Sequence, residues 1–264
     1  MQSGYAVVKL SLRGDSQSAM AHHTQNQSYS RLVDRLNRYP QGAPPAKLLY
    51  KILKLLFSEK EASLVSQLPI KPFTARKAGH VWKVDPATAK KTLDKLADRA
   101  ILIDIDYDGE PTYCLFPPMA GFFEFSLMRV RDDINQKLLS ELFYQYLNVE
   151  EDFIRDLFTR GDTQLGRVFV HEPVLSNENA IHVLDYESAS EVIKTASHMG
   201  ISTCYCRHKM EHMGKACDAP QDICMTFNTA AASLIKSGFA RSADSVECRE
   251  LLEKAWESNL VQFG

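Results

Sequence analysis

Four of the six cysteines fall within one stretch, CYCRHKMEHMGKACDAPQDIC, as Cys204, Cys206, Cys217 and Cys224 in the order C-x-C-x10-C-x6-C. Thiols grouped so closely suit metal ligation or redox chemistry, and in a reducing compartment they suit a structural disulfide less well. The spacing leaves three readings open: an iron–sulfur cluster held by all four thiolates, a structural zinc, or no metal at all. Zinc knuckles usually pair cysteines at x2–x4, so the first pair here is too tight and the second too loose, and zinc is the weaker metal reading. His198, His208 and His212 offer substitute ligands, though each reads more simply as a solvated or core histidine.

The surroundings of these thiols suggest how they would be held. Residues i and i+2 do not share a helix face, so Cys204 and Cys206 are expected on an extended or turned segment. Gly214 and Pro220 would shape the loop around Cys217. Cys224 is expected in or just before the first turn of a helix over 225–238, where a helix N-terminus favours negative charge. Arg207, His208, Lys209, His212 and Lys215 would form a basic shell, with Arg207, Gly214 and Pro220 the residues closest to the centre. Cys114 and Cys248 sit at core-facing positions of a strand and a helix and read as structural thiols.

Catalytic signatures of other kinds are missing from the sequence. It holds no Gly-x4-Gly-Lys, no Gly-x-Gly-x-x-Gly, no Gly-x-Ser-x-Gly and no His-Glu-x-x-His. No catalytic residue is assigned, and the chain is not expected to be an enzyme on its own.

The 264 residues are 45% hydrophobic and 24% charged, with a formal net charge of -2. That balance suits a folded protein of one or two domains, and any nucleic-acid binding would need a local basic face. No uncharged apolar run reaches membrane-spanning length, which points to a cytoplasmic protein. Residues 1–28, polar and rich in Ser, Gln and His, read as a disordered leader.

Periodicity and punctuation define the scaffold around the cysteines. Leu49, Ile52, Leu53 and Leu56 form a helical stripe, and Ser58 with Glu61 is a capping box opening the next helix. Asp85-Pro86 is an N-cap followed by proline at the first helical position, with Ala89, Leu93, Leu96, Ala97 and Ala100 as the buried face. Asp108-Gly109 between alternating runs marks a β-hairpin. Helices followed at once by a two-stranded ribbon predict a winged helix-turn-helix. From Lys71 to Arg99 there are eight Lys/Arg against three Asp, so Lys90, Lys91 and Lys95 are the residues that would meet DNA phosphates.

The fold class expected is mainly α with small β (α+β). It comprises a winged-helix domain with helical extension over 29–160 and a small α/β cluster-binding domain over 161–264. Aromatic residues after 116 suggest core or a homodimer contact. Strands are expected at GRVFVHEP and AIHVLDY, then a helix ended by Gly200.

The motifs CYCR, GKAC, CDAP and PQDIC, with GFFEF at 121–125, resemble the cytoplasmic 4Fe-4S-binding, ferredoxin-like proteins of anaerobic bacteria and archaea. The resemblance runs from about residue 30 to the end. It implies a [4Fe-4S] cluster on Cys204, Cys206, Cys217 and Cys224, electron transfer, and a redox partner protein or oxidoreductase complex. A cluster- or zinc-dependent winged-helix regulator is the alternative. Longer members of that family continue into further Cys-rich modules, so this chain resembles a short form or a fragment.

Overall fold

The computed structural model describes residues 27–39, 41–107, 109–159, 166–175 and 188–264. Most of the expected leader lies outside them, but 27–28 already begin a helix, α1 (27–36), with Ser28 buried. The strand expected at AIHVLDY falls outside the described residues.

α2 (Lys47–Leu56) buries Leu49, Ile52, Leu53 and Leu56, the i, i+3, i+4, i+7 stripe of an amphipathic helix. α3 (Glu59–Val65) starts with the reciprocal capping box of Ser58 and Glu61. β1 (Phe73–Thr74) leads into α4 (Ala75–Trp82), which ends on Lys83 in the left-handed region, φ 56°. α5 (Pro86–Ala97) has Asp85 as N-cap, accepting from the Ala87 and Thr88 N–H groups, and buries Ala89, Leu93, Leu96 and Ala97.

β2 (Ile103–Tyr107) and β3 (Glu110–Cys114) pair antiparallel, with Tyr107 opposite Glu110 across the tight turn at Gly109, φ 83°. β1 pairs with the other edge of β3, giving a sheet in the order β1-β3-β2.

An aromatic column runs from this sheet region into the C-terminal half. After a backbone reversal at Ala120 and Gly121, the single turn α6 (Phe123–Phe125) places Phe123 5.0 Å from Phe122 and 4.9 Å from Phe143. Phe143 ends α7 (Gln136–Phe143) and meets Tyr205 at 6.0 Å. The run expected to be core or a dimer contact is core: Phe122, Phe123, Phe125, Leu127 and Met128 are all buried. The helical path continues through a wider turn at Tyr144–Val149 into α8 (Asp152–Thr159).

α9 (Ala189–Thr195) precedes a second sheet of β4 (Met199–Thr203), β5 (Asp222–Phe227) and β6 (Arg241–Ala243), antiparallel in the order β5-β4-β6. Gly200 does not end a helix as expected; it lies within β4, where a Cβ would come 3.0 Å from Ala240 and Thr226. GRVFVHEP forms a single bridge, Val168 to Phe263, and a short helical turn at Glu172–Val174 instead of a full strand.

α10 (Tyr205–His212) links β4 towards β5, α11 (Asn228–Lys236) follows β5, and α12 (Ser245–Glu257) closes the fold. A smaller core of Ile193, Ile201, Ile223, Cys248, Leu251 and Leu252 lies under this sheet. The architecture of the described residues is thus mixed α and β with two small antiparallel sheets.

β2 of the first sheet is tied to α11 by Asp104. Its backbone N–H donates to the Ser233 hydroxyl at 3.1 Å, and that hydroxyl donates to the Asp104 carboxylate at 2.7 Å. Lys236 adds an ion pair to the same carboxylate. Both partners come from α11.

Candidate functional site

The cysteines do not arrange as expected. Cys204 is the N-cap residue of α10 and Cys206 is the second residue of that helix, so the pair sits on a helix start instead of an extended loop. Cys224 lies within β5, opposite Ser202 of β4, and the following helix begins only at Asn228. The helix N-terminus expected to serve Cys224 therefore serves Cys204. Cys217 is exposed in the loop between α10 and β5, after Gly214 at φ 65°, and Pro220 is exposed on the same loop.

That placement overturns the metal reading. Among the described residues, no three Cys, His, Asp or Glu side chains come together as a set able to hold a metal ion. A four-thiolate centre needs all four sulfurs around one point. Here one lies on an outer loop, one on the exposed side of a helix start and one along a strand. The [4Fe-4S] assignment to Cys204, Cys206, Cys217 and Cys224, and the zinc alternative, are corrected accordingly. Electron transfer through a cluster and a metal-dependent regulator fall with them.

What the fold does build is a polarised thiol pair. The Cys206 thiol lies against the Cys204 sulfur and, by donating to it, holds the Cys204 pKa below the ordinary thiol range. Burial opposes this, while the Arg207 guanidinium adds to it. The same contact with Cys204 pushes Cys206 strongly up. Cys204 is half-buried and Cys206 is exposed, so the pair is open to a reactant. Burial pushes the Cys224 thiol up to about 12, with the Cys204 charge adding to it.

Arg207 supplies an independent sign. It is 8% exposed, and its Nε and Nη2 make no hydrogen bond. A buried guanidinium without an anion is expensive, and a thiolate at Cys204 would provide the opposite charge. Three other residues of the expected basic shell have partners of their own, though the Lys209 charge also acts on Cys206 and Glu124. His208 Nδ1 pairs with the Leu127 carbonyl at 2.7 Å, Lys209 donates to Asn148 at 2.7 Å, and Lys215 lies over Tyr144 at 4.6 Å. Burial lowers the pKa of Lys209 and of His212.

Glu124 joins this site although the sequence marks it only as part of GFFEF. Burial raises its carboxyl to about 7, with the nearby Cys204 charge adding to the rise and the Ala120 N–H opposing it. The signal for it in the sequence is one acid inside an aromatic run. Cys114 and Cys248 are buried, as the sequence implies.

Lys91 and Lys95 are exposed on α5, whereas Lys90 pairs with Asp94 at 2.8 Å. Asp94 also accepts from the Tyr113 hydroxyl at 2.6 Å, so it does not stand free on the helix surface.

No family model, no curated protein and no solved structure matches this chain. The resemblance to 4Fe-4S-binding proteins is therefore not upheld. Among the described residues no helix is long and apolar enough to cross a membrane.

Proposed function

We propose that the protein is a dithiol redox protein, in which Cys204 is the attacking thiolate and Cys206 the resolving thiol. The observation that carries the reading is the position of Cys204 at the start of α10, with Cys206 second and Arg207 third in the same helix. A low thiol pKa beside a second thiol is the arrangement that thiol–disulfide exchange uses. In the first step the Cys204 thiolate attacks one sulfur of a disulfide oxidant, forming a mixed disulfide and releasing a thiolate. Cys206, once deprotonated, attacks the Cys204 sulfur and releases the second thiolate. The protein loses two electrons and gains the Cys204–Cys206 disulfide, and the oxidant becomes two thiols. The role is that of a partner in exchange with another protein, not of a free-standing enzyme.

The test is incubation with oxidised glutathione followed by trapping of free thiols and peptide mass spectrometry. A Cys204–Cys206 disulfide is expected in the native protein, with a persistent Cys204–glutathione adduct in Cys206→Ser. Attack first at Cys217, with Cys204 left free, would refute the assignment.

A second reading concerns residues 47–115. The order β1-β3-β2, with α4 and α5 between β1 and the β2–β3 hairpin, favours a winged helix. Tyr113 and Lys90 occupy Asp94, leaving Lys91 and Lys95 as net positive charge on the outer face of α5. That face suits the phosphates of a nucleic-acid duplex. Binding to a random DNA duplex at low salt should weaken in the double variant Lys91→Ala/Lys95→Ala and flatten against salt. Binding unchanged by the substitutions would count against it.

A further inference from the structure

We propose that the cleft at the end of β4 binds a small carboxylate with a short apolar body, a site separate from the thiol pair. β6 pairs with β4 only at Met199, Gly200 and Ile201, so the β6 ladder runs out before Ser202 and Thr203. At that point a cavity of 240 Å³ opens between Arg129, Ser202, Thr203, Asp222 and Arg241. Met128 and Phe239, both buried, contribute apolar wall.

Ser202 is 4% exposed, and its hydroxyl makes no hydrogen bond. Buried hydroxyls nearly always find a partner, and one left without costs stability, so a polar group belongs within its reach. Arg129 lies over the Phe239 ring at 4.0 Å and gives its Nη1 to the carbonyls of Ser237 and Gly238. Arg241 pairs through Nη2 with Glu247 at 2.6 Å. A guanidinium has five N–H donors in a planar fork, so each arginine retains donors suited to a carboxylate. Asp222 is exposed at the rim and accepts from the Thr203 hydroxyl at 3.3 Å. With that carboxylate at the rim, a singly charged ligand is favoured over a dianion such as phosphate. The apolar wall favours a short alkyl body over a bare ion.

Calorimetric titration of the full chain with butyrate, butanol and inorganic phosphate at low salt tests this. Saturable binding of butyrate is expected, weaker binding of phosphate and none of butanol. Ser202→Ala removes one hydrogen bond to a charged group, and about tenfold weaker butyrate binding should result. Arg241→Gln, on an exposed side chain, should weaken it as well and reports on the same site if the first variant folds poorly. No saturable butyrate binding would overturn the proposal, as would tighter binding of phosphate, or butyrate binding untouched by both substitutions.

Discussion

Two helix starts in this protein are built on opposite plans. α5 begins with Asp85, whose carboxylate accepts from Ala87 and Thr88 N–H groups at 3.0 Å each, and proline fills the first helical position. Its one inward-leaning acid, Asp94, is met by Tyr113 and Lys90. α10 begins with Cys204, which makes no capping hydrogen bond of good geometry. Tyr205, Arg207 and His212 on the same helix each carry a buried nitrogen or oxygen without a partner. Local rules satisfied throughout mark an element selected for stability. Rules broken together, at residues that include a pair of thiols, mark an element that gives up stability for chemistry.

The contrast can be tested in four ways, first through reactivity and then through stability. Iodoacetamide at neutral pH should modify Cys204 roughly tenfold faster than the thiol of free glutathione, because more of it is thiolate. The fast phase should vanish in Cys204→Ala. Its rate should also stay flat as pH falls through the range where ordinary thiols become unreactive. Equal rates at Cys204 and free glutathione by mass spectrometry would remove the distinction between the two helix starts.

Glu124 gives the next effect. Its carboxyl titrates near 7 in the folded protein against an ordinary 4.5, so the folded state binds the extra proton between those values. Stability should therefore fall as pH rises from about 4.5 to 7, by on the order of 3 kcal/mol. Denaturant unfolding across that window should show the slope in the native chain and lose it in Glu124→Gln.

Asp85→Ala should cost about 1 kcal/mol through the lost cap, read as a lower denaturant midpoint. The smallest effect has the opposite sign. Cys204→Asp supplies a good cap and an anion for Arg207, so it should raise stability by about 0.5–1 kcal/mol while abolishing the fast alkylation. Destabilisation by that substitution would mean that the α10 start is not held at the expense of stability.

Much of the first half is legible in the sequence because its signals are local. Ser58 with Glu61, Asp85 with Pro86, and the stripe from Leu49 to Leu56 each act within one or two turns, and the structure shows each of them. The cysteine segment misleads because its geometry depends on contacts far along the chain. Spacing suggests four converging sulfurs, but β5 pairs with β4 through Cys224 opposite Ser202, which sets Cys224 in a strand. Extended pairing thus reaches past Cys224 and delays the helix to Asn228. Tyr205 is likewise drawn inward against Phe143, and that packing favours helix from the residue after Cys204. Neither contact leaves a mark in the local pattern.

The tie at Asp104 bears on how the molecule comes apart. The Asp104 carboxyl group belongs to the first sheet, yet its partners Ser233 and Lys236 belong to the helix after Cys224. With the Asp104 side chain only 8% exposed, releasing α11 would cost β2 the ion pair and hydrogen bond that this carboxylate makes. Opening of β2 is thereby coupled to release of α11, and amide hydrogens in β2 and in α11 should exchange in one shared event.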